Sequence, residues 1–123
     1  MKRGSLLKQI CRCQEVKKVR VEADVFAYPI WCDECLYNLA LDHFPLSEKL
    51  QDELVAWIYD YGKWIDWSTD EIIPGGVQLE QQHNERGEML AQRVKTALEG
   101  QFIVRFVAST FAKRHCKEKS VKQ

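Results

Sequence analysis

Residues 45–65 read Pro-Leu-Ser-Glu-Lys-Leu-Gln-Asp-Glu-Leu-Val-Ala-Trp-Ile-Tyr-Asp-Tyr-Gly-Lys-Trp-Ile. Leu50, Leu54, Trp57, Ile58, Tyr61 and Ile65 recur at spacings of three and four, which predicts an amphipathic helix over 48–65. Ser47 stands where a hydroxyl can cap the free amides of the first turn. Glu48, Asp52 and Glu53 lie near the positive end of the helix dipole. Gly62 weakens the last turn, so the helix is free to end early. A second helical pattern spans 78–99, with Leu90, Val94, Ala97 and Leu98 as its apolar stripe. The first half of that pattern, Glu80 to Glu88, is nearly all polar and is predicted to face solvent. Pro74-Gly75-Gly76 supplies the turn between the two helices.

Strand patterns flank the helices. Residues 18–28 alternate, with Val19, Val21, Ala23 and Val25 on one face and Lys18, Arg20, Glu22 and Asp24 on the other, until Pro29 ends the run. Residues 101–108, rich in β-branched and aromatic side chains, predict a second and more deeply buried strand, and Gly100 before it suits a helix C-terminus. The order strand, helix, helix, strand predicts an α+β fold: a small antiparallel sheet, with strands near 18–28 and 101–108, covered by a two-helix hairpin (48–65 and 78–99). Two strands alone are marginal, so a third strand or a helix is expected from residues 5–13. Stretch 30–44 has two readings: a short helix capped by Asp33, or an irregular loop pinned by Trp31 and Phe44.

At 123 residues and 14.4 kDa the chain has the size of one domain. The expected organisation is a basic segment over 1–17, an α+β domain over 18–112 and a basic, frayed tail over 113–123. The zero net charge hides a polarity. Residues 1–20 hold seven basic side chains against one acid, and residues 113–123 hold five against one. The middle holds six basic and sixteen acidic side chains. An acidic body with basic ends attracts a basic partner over a Debye length of about 8 Å at physiological salt. Composition excludes collagen-like and disordered classes. No apolar run approaches the ~20 residues that span a bilayer. The opening residues lack a continuous apolar signal segment, and five cysteines is an odd count, so a reduced cytoplasmic setting is expected.

Few constellations carry chemistry. Cys32-Asp33-Glu34-Cys35 with the upstream pair Cys11 and Cys13 offers four thiols at a spacing that could hold zinc; the alternative is incidental small thiols. A redox role is opposed by Asp33 and Glu34, whose charge disfavours the thiolate. Glu80 and His83 repeat the Glu-x-x-His spacing of carboxylate metal sites, but a single copy on a polar helix reads as a solvated face. His43 and His115 have no partner that sequence identifies. There is no nucleophile elbow, P-loop, dinucleotide fingerprint or zinc-protease motif, so the chain is expected not to be an enzyme.

The aromatic density is more distinctive. Trp57, Tyr59, Tyr61, Trp64 and Trp67 fall within eleven residues. Trp57, Tyr61 and Trp64 fit the buried helix face. Tyr59 points away from it, and Trp67 sits among Asp66, Asp70 and Glu71. Acid-flanked aromatics suit a surface that docks a basic protein, and ordinary core plus one surface tyrosine is the competing reading.

Residues 19–107 resemble a widespread kind of small bacterial protein. The likeness runs through Pro29-Ile30-Trp31 with acids at 33 and 34, then Phe44-Pro45-Leu46-Ser47-x-x-Leu50 leading into Leu54 and Trp57, and closes on Val104-Arg105-Phe106. Some such proteins accompany secreted toxins, so the resemblance implies an immunity role and supplies no catalytic residues. Three functions are carried forward. The leading one is a non-catalytic, cytoplasmic protein-binding module of the immunity or antitoxin kind, contacting a basic partner through Tyr59, Trp67, Asp66, Asp70 and Glu71, with Asp33 and Glu34 next. The second is an adaptor stapled by zinc on Cys11, Cys13, Cys32 and Cys35. The third is a regulatory protein binding nucleic acid weakly through its basic tails.

Overall fold

Helix α1, Glu48–Tyr59, starts where its cap predicts. The Ser47 hydroxyl accepts from the Leu50 amide at 3.1 Å, satisfying one amide that the helix cannot. The helix ends six residues short of the predicted 65. The apolar stripe continues past it because the following turn buries Trp64 and half-buries Tyr61 against the same layer. Gly62, at φ +88°, turns the chain out of the helical direction, a conformation that a side chain makes costly.

A computed structural model describes residues 16–115. Strand β1 is Lys18–Val21, β2 Ile30–Cys32 and β3 Asn38–Leu39; a single 3-10 turn, Leu41–His43, leads toward α1. After α1 come β4 (Ile65–Asp66), β5 (Glu71–Ile72), helix α2 (Gly76–Ala97) and β6 (Ile103–Phe106). Four strands form a sheet in the order β3-β2-β1-β6, while β4 and β5 pair as a separate hairpin. The expected segment at 5–13 lies outside the described residues. Residues 111–115 are helical, so the expected tail is ordered at its root; the remainder of 113–123 lies outside the described residues.

The α+β class holds, and the strand arrangement needs correcting. The outer predicted strands, β1 and β6, pair in parallel, with Val19 opposite Val104 and Val21 opposite Phe106. The antiparallel partner of β1 is β2, with Val19 opposite Cys32. Stretch 30–44 is therefore neither of its two predicted forms: it contributes β2 and β3, an antiparallel hairpin that pairs with β1 on the side away from β6. β1 also stops at Val21 rather than running to residue 28, and Val25 is exposed. β6 is an edge strand rather than a deeply buried one. Val104 and Phe106 pack on the core, whereas Ile103 and Arg105 point to the other face.

One face of the sheet packs on both helices. Val19, Val21, Ile30, Cys32 and Leu39 meet Leu50, Leu54 and Trp57 of α1 and Leu90, Ala91 and Val94 of α2. On the opposite face the register places Arg20 directly beside Arg105, a like-charge neighbour pair that is unfavourable alone. Asp33 sits between them and accepts from Arg20 Nε at 2.8 Å and from Arg105 Nη2 and Nε at 2.8 and 3.0 Å. These hydrogen bonds, Arg105 first, hold its carboxyl down at about 2.

The helices approach closely at Gly87. A Cβ there would clash with Cζ2 of the fully buried Trp57 ring and lie 2.9 Å from Cε1 of the half-buried Phe106 ring. Gly87→Ala gains about 1 kcal/mol of helix propensity against an overpacking cost near the upper end of the usual ~1–3 kcal/mol, for a net loss of roughly 1–2 kcal/mol. Urea unfolding reads this as a lower midpoint at unchanged slope; an unchanged or raised midpoint contradicts the packing.

Candidate partner-binding site

The β4–β5 hairpin gathers four of the predicted contact residues into one loop. Residues 66–71 are all exposed. The loop closes through backbone bonds from the Thr69 and Asp70 amides to the Asp66 carbonyl, at 3.2 and 2.7 Å. Asp70 takes the left-handed conformation, φ 60°, which aspartate tolerates better than most residues. The Asp66 carboxylate accepts from the Ser68 hydroxyl at 2.6 Å and the Ser68 amide at 3.0 Å. These bonds, the hydroxyl first, hold the Asp66 carboxyl below its ordinary range, so it stays ionised. Asp66 thus shapes the loop, while Asp70 and Glu71 are exposed carboxylates on it.

Trp67 projects from this loop and lies against Gly62. A Cβ on Gly62 would stand 2.7 Å from Trp67 Cζ2, so the turn after α1 leaves a flat seat for the indole. The ring keeps 59% of its surface in water. Tyr59, the last residue of α1, is 81% exposed. Asp33 lies elsewhere, on the sheet, with both oxygens committed to Arg20 and Arg105. Glu34 is exposed in the turn between β2 and β3.

Cys32 is buried and Cys35 half-buried in that same turn. The Leu36 amide bonds back to the Cys32 carbonyl at 2.9 Å, and Leu36 is left-handed at φ 66°. The turn is tight despite having no glycine. Cys11 and Cys13 lie outside the described residues. Among the described residues no group of three or more His, Cys, Asp and Glu could hold a metal ion, and no helix is long and apolar enough to cross a membrane.

Two polar residues predicted to face solvent are instead buried. Glu80 is 2% exposed and His83 6%. Glu80 reaches across to the chain after β6, accepting from Ser109 Oγ at 2.6 Å and from the Ala112 and Lys113 amides at 3.0 and 3.1 Å. It caps the helical segment 111–115 from outside that segment. Asn84, one turn on, exchanges two 2.9 Å bonds with the Ser109 backbone. His83 stacks on Trp57, with ring centroids 4.7 Å apart and planes 10° from parallel. Trp57 Nε1 donates to the His83 carbonyl, and His83 Nε2 lies 2.8 Å from the Trp57 carbonyl, which can only accept, so Nε2 carries the proton. The signal was available: Glu80, His83, Gly87, Leu90 and Val94 continue one stripe at spacings of three and four.

Beside the hairpin a cleft of about 250 Å³ is lined by Asp60, Lys63, Trp64, Leu79, Gln82, His83 and Arg86. Both cations are paired with Asp60, at 2.7 and 2.9 Å, and the lining holds no hydroxyl or thiol nucleophile.

A family model described as "Serratia CdiI immunity protein-like" matches residues 17–109. The chain belongs to that family. No curated protein matches it. The matched span covers every strand and both long helices, including the hairpin, Gly62, Trp57 and His83.

Burial pushes the His83 imidazole below its ordinary value, and a second proton would fall on Nδ1, which has no partner. The unfolded chain takes up that proton near pH 6.5 and the folded chain only at lower pH. Stability is therefore full above about pH 6.5 and falls as pH drops below it. Urea midpoints measured from pH 7.5 to 5 should decline, and His83→Gln should flatten that decline; parallel profiles would contradict a buried neutral imidazole.

Proposed function

We propose that this chain is an immunity protein that acts without catalysis, binding a toxin domain and covering its working surface. Family membership supports a protein partner of this kind. The observation that carries the choice of surface is the β4–β5 hairpin. It sets a half-exposed Trp67 over Gly62 and follows it with two exposed carboxylates, Asp70 and Glu71. Interfaces draw most of their binding energy from a few aromatic anchors, and flanking charges raise the encounter rate of an oppositely charged partner. The hairpin supplies both on one short loop. The partner expected is basic, because sixteen of the eighteen acids fall between residues 21 and 112 with only six basic residues.

The hairpin is also preorganised. Its loop is closed by two backbone bonds and by the Asp66–Ser68 pair, so little conformational freedom remains to be lost on docking. Asp33 contributes to this function only through the sheet, by holding β1, β2 and β6 together.

Binding to a cognate toxin domain, identified by pull-down from the native host, tests the reading. Trp67→Ala, at an exposed position, should leave the unfolding midpoint nearly unchanged and weaken binding by roughly 10- to 100-fold. Asp70→Asn with Glu71→Gln keeps the left-handed turn and should slow association by several-fold while flattening its salt dependence. A complex whose affinity ignores Trp67 and whose on-rate ignores both carboxylates refutes this surface.

A further inference from the structure

Phe26 occupies the turn between β1 and β2 at φ 57°, with its ring wholly in water. The left-handed region is unfavourable for a bulky residue, and turns that need it normally place glycine or asparagine there. Neither cost is recovered inside the chain, because the ring buries nothing.

The loop around it is nonetheless fixed. The Glu22 amide donates to the Pro29 carbonyl at 3.0 Å and closes its base. Asn38, on β3, donates to the Tyr28 carbonyl and accepts from the Tyr28 amide, both at 2.8 Å. Asp24 accepts from the Val25 amide at 2.7 Å, and its carboxylate has no cation beside it among the described residues. The same loop exposes Val25 and Tyr28. A strained backbone kept in place by its surroundings, displaying an apolar ring, is the usual mark of a residue retained for something other than folding.

We propose that the β1–β2 loop is a second docking element for the toxin partner, with Phe26 held out in advance as an anchor for an apolar pocket whose rim is basic. This rests on the immunity reading and deepens it, making the contact bipartite. The basic rim follows from Asp24, exposed beside the ring without a cation of its own. The loop lies within electrostatic reach of the segment that leads into the hairpin: burial first and the Asp24 charge second push the Tyr61 phenol up, and the Tyr61 ring meets Trp64 edge-on, 5.3 Å between centroids, one residue before β4. The fixed loop costs little to order on binding, which favours slow dissociation.

Phe26→Asn tests this directly, because asparagine accepts the left-handed turn and removes the ring. The variant should melt a few degrees higher than the parent while binding the toxin domain roughly 10- to 100-fold more weakly. Phe26→Tyr keeps the ring and should bind within about threefold of the parent. Unchanged affinity of Phe26→Asn overturns the proposal, and so does a lower melting temperature, which would make Phe26 a folding residue. If sedimentation shows that the substitution breaks a dimer of this chain and leaves the toxin complex intact, the loop pairs two copies and the proposal fails. Loss of affinity in Trp67→Ala alone leaves the hairpin reading standing and removes this one; no binding by the parent chain removes both.

Discussion

Trp57 sets the distance between the two long helices. Its indole is stacked on His83, bonded to the His83 carbonyl, in contact with Phe106 and pressed against the bare Cα of Gly87. One side chain of α1 therefore touches two successive turns of α2 and the last residue of β6. Stacking, a buried hydrogen bond and close backbone approach all act at one place, and each requires the others' geometry. The positions of the turn after α1, of Trp64 and of the hairpin that follows are consequences of this fit. So is the seating of the chain after β6, which Glu80 and Asn84 hold from either side of His83 on α2.

How much of this was legible in the sequence varies by residue. The two helices, their cap at Ser47, the buried Trp57 and Trp64, and the exposed Tyr59 and Trp67 follow from periodicity and need no tertiary knowledge. The relative direction of β1 and β6 does not, because counting reversals between predicted elements fixes no strand order, and β2 and β3, with only two residue pairs between them, are too short to show alternation. The burial of Glu80 and His83 was hidden for a different reason. Polar side chains on a helix read as solvated unless their partners are known, and those partners, Ser109 and the Trp57 backbone, lie 29 and 26 residues away. Phe26 is invisible to pattern reading, since only its backbone angle separates it from a strand residue.

The distribution of cost across the molecule fits a binding role. In the core, strain is avoided: the closest helix contact is made by a glycine and the like-charged Arg20 and Arg105 are bridged by Asp33. On exposed loops, three non-glycine residues, Phe26, Leu36 and Asp70, hold left-handed angles, and large aromatic surface at Phe26, Tyr59 and Trp67 stays in water. Proteins commonly tolerate such features where a ligand later relieves them. A family of immunity proteins has a reason to keep them, because a toxin must be captured quickly and held.

Amide hydrogen exchange of this chain, free and bound to the toxin domain it neutralises under the proposed function, tests the account most directly. Protection on binding should concentrate at residues 22–28 and 65–72 and leave the Leu46–Leu54 region unchanged. Protection confined to the edge strands β3 and β6, with both loops exchanging as fast as in the free protein, would contradict it.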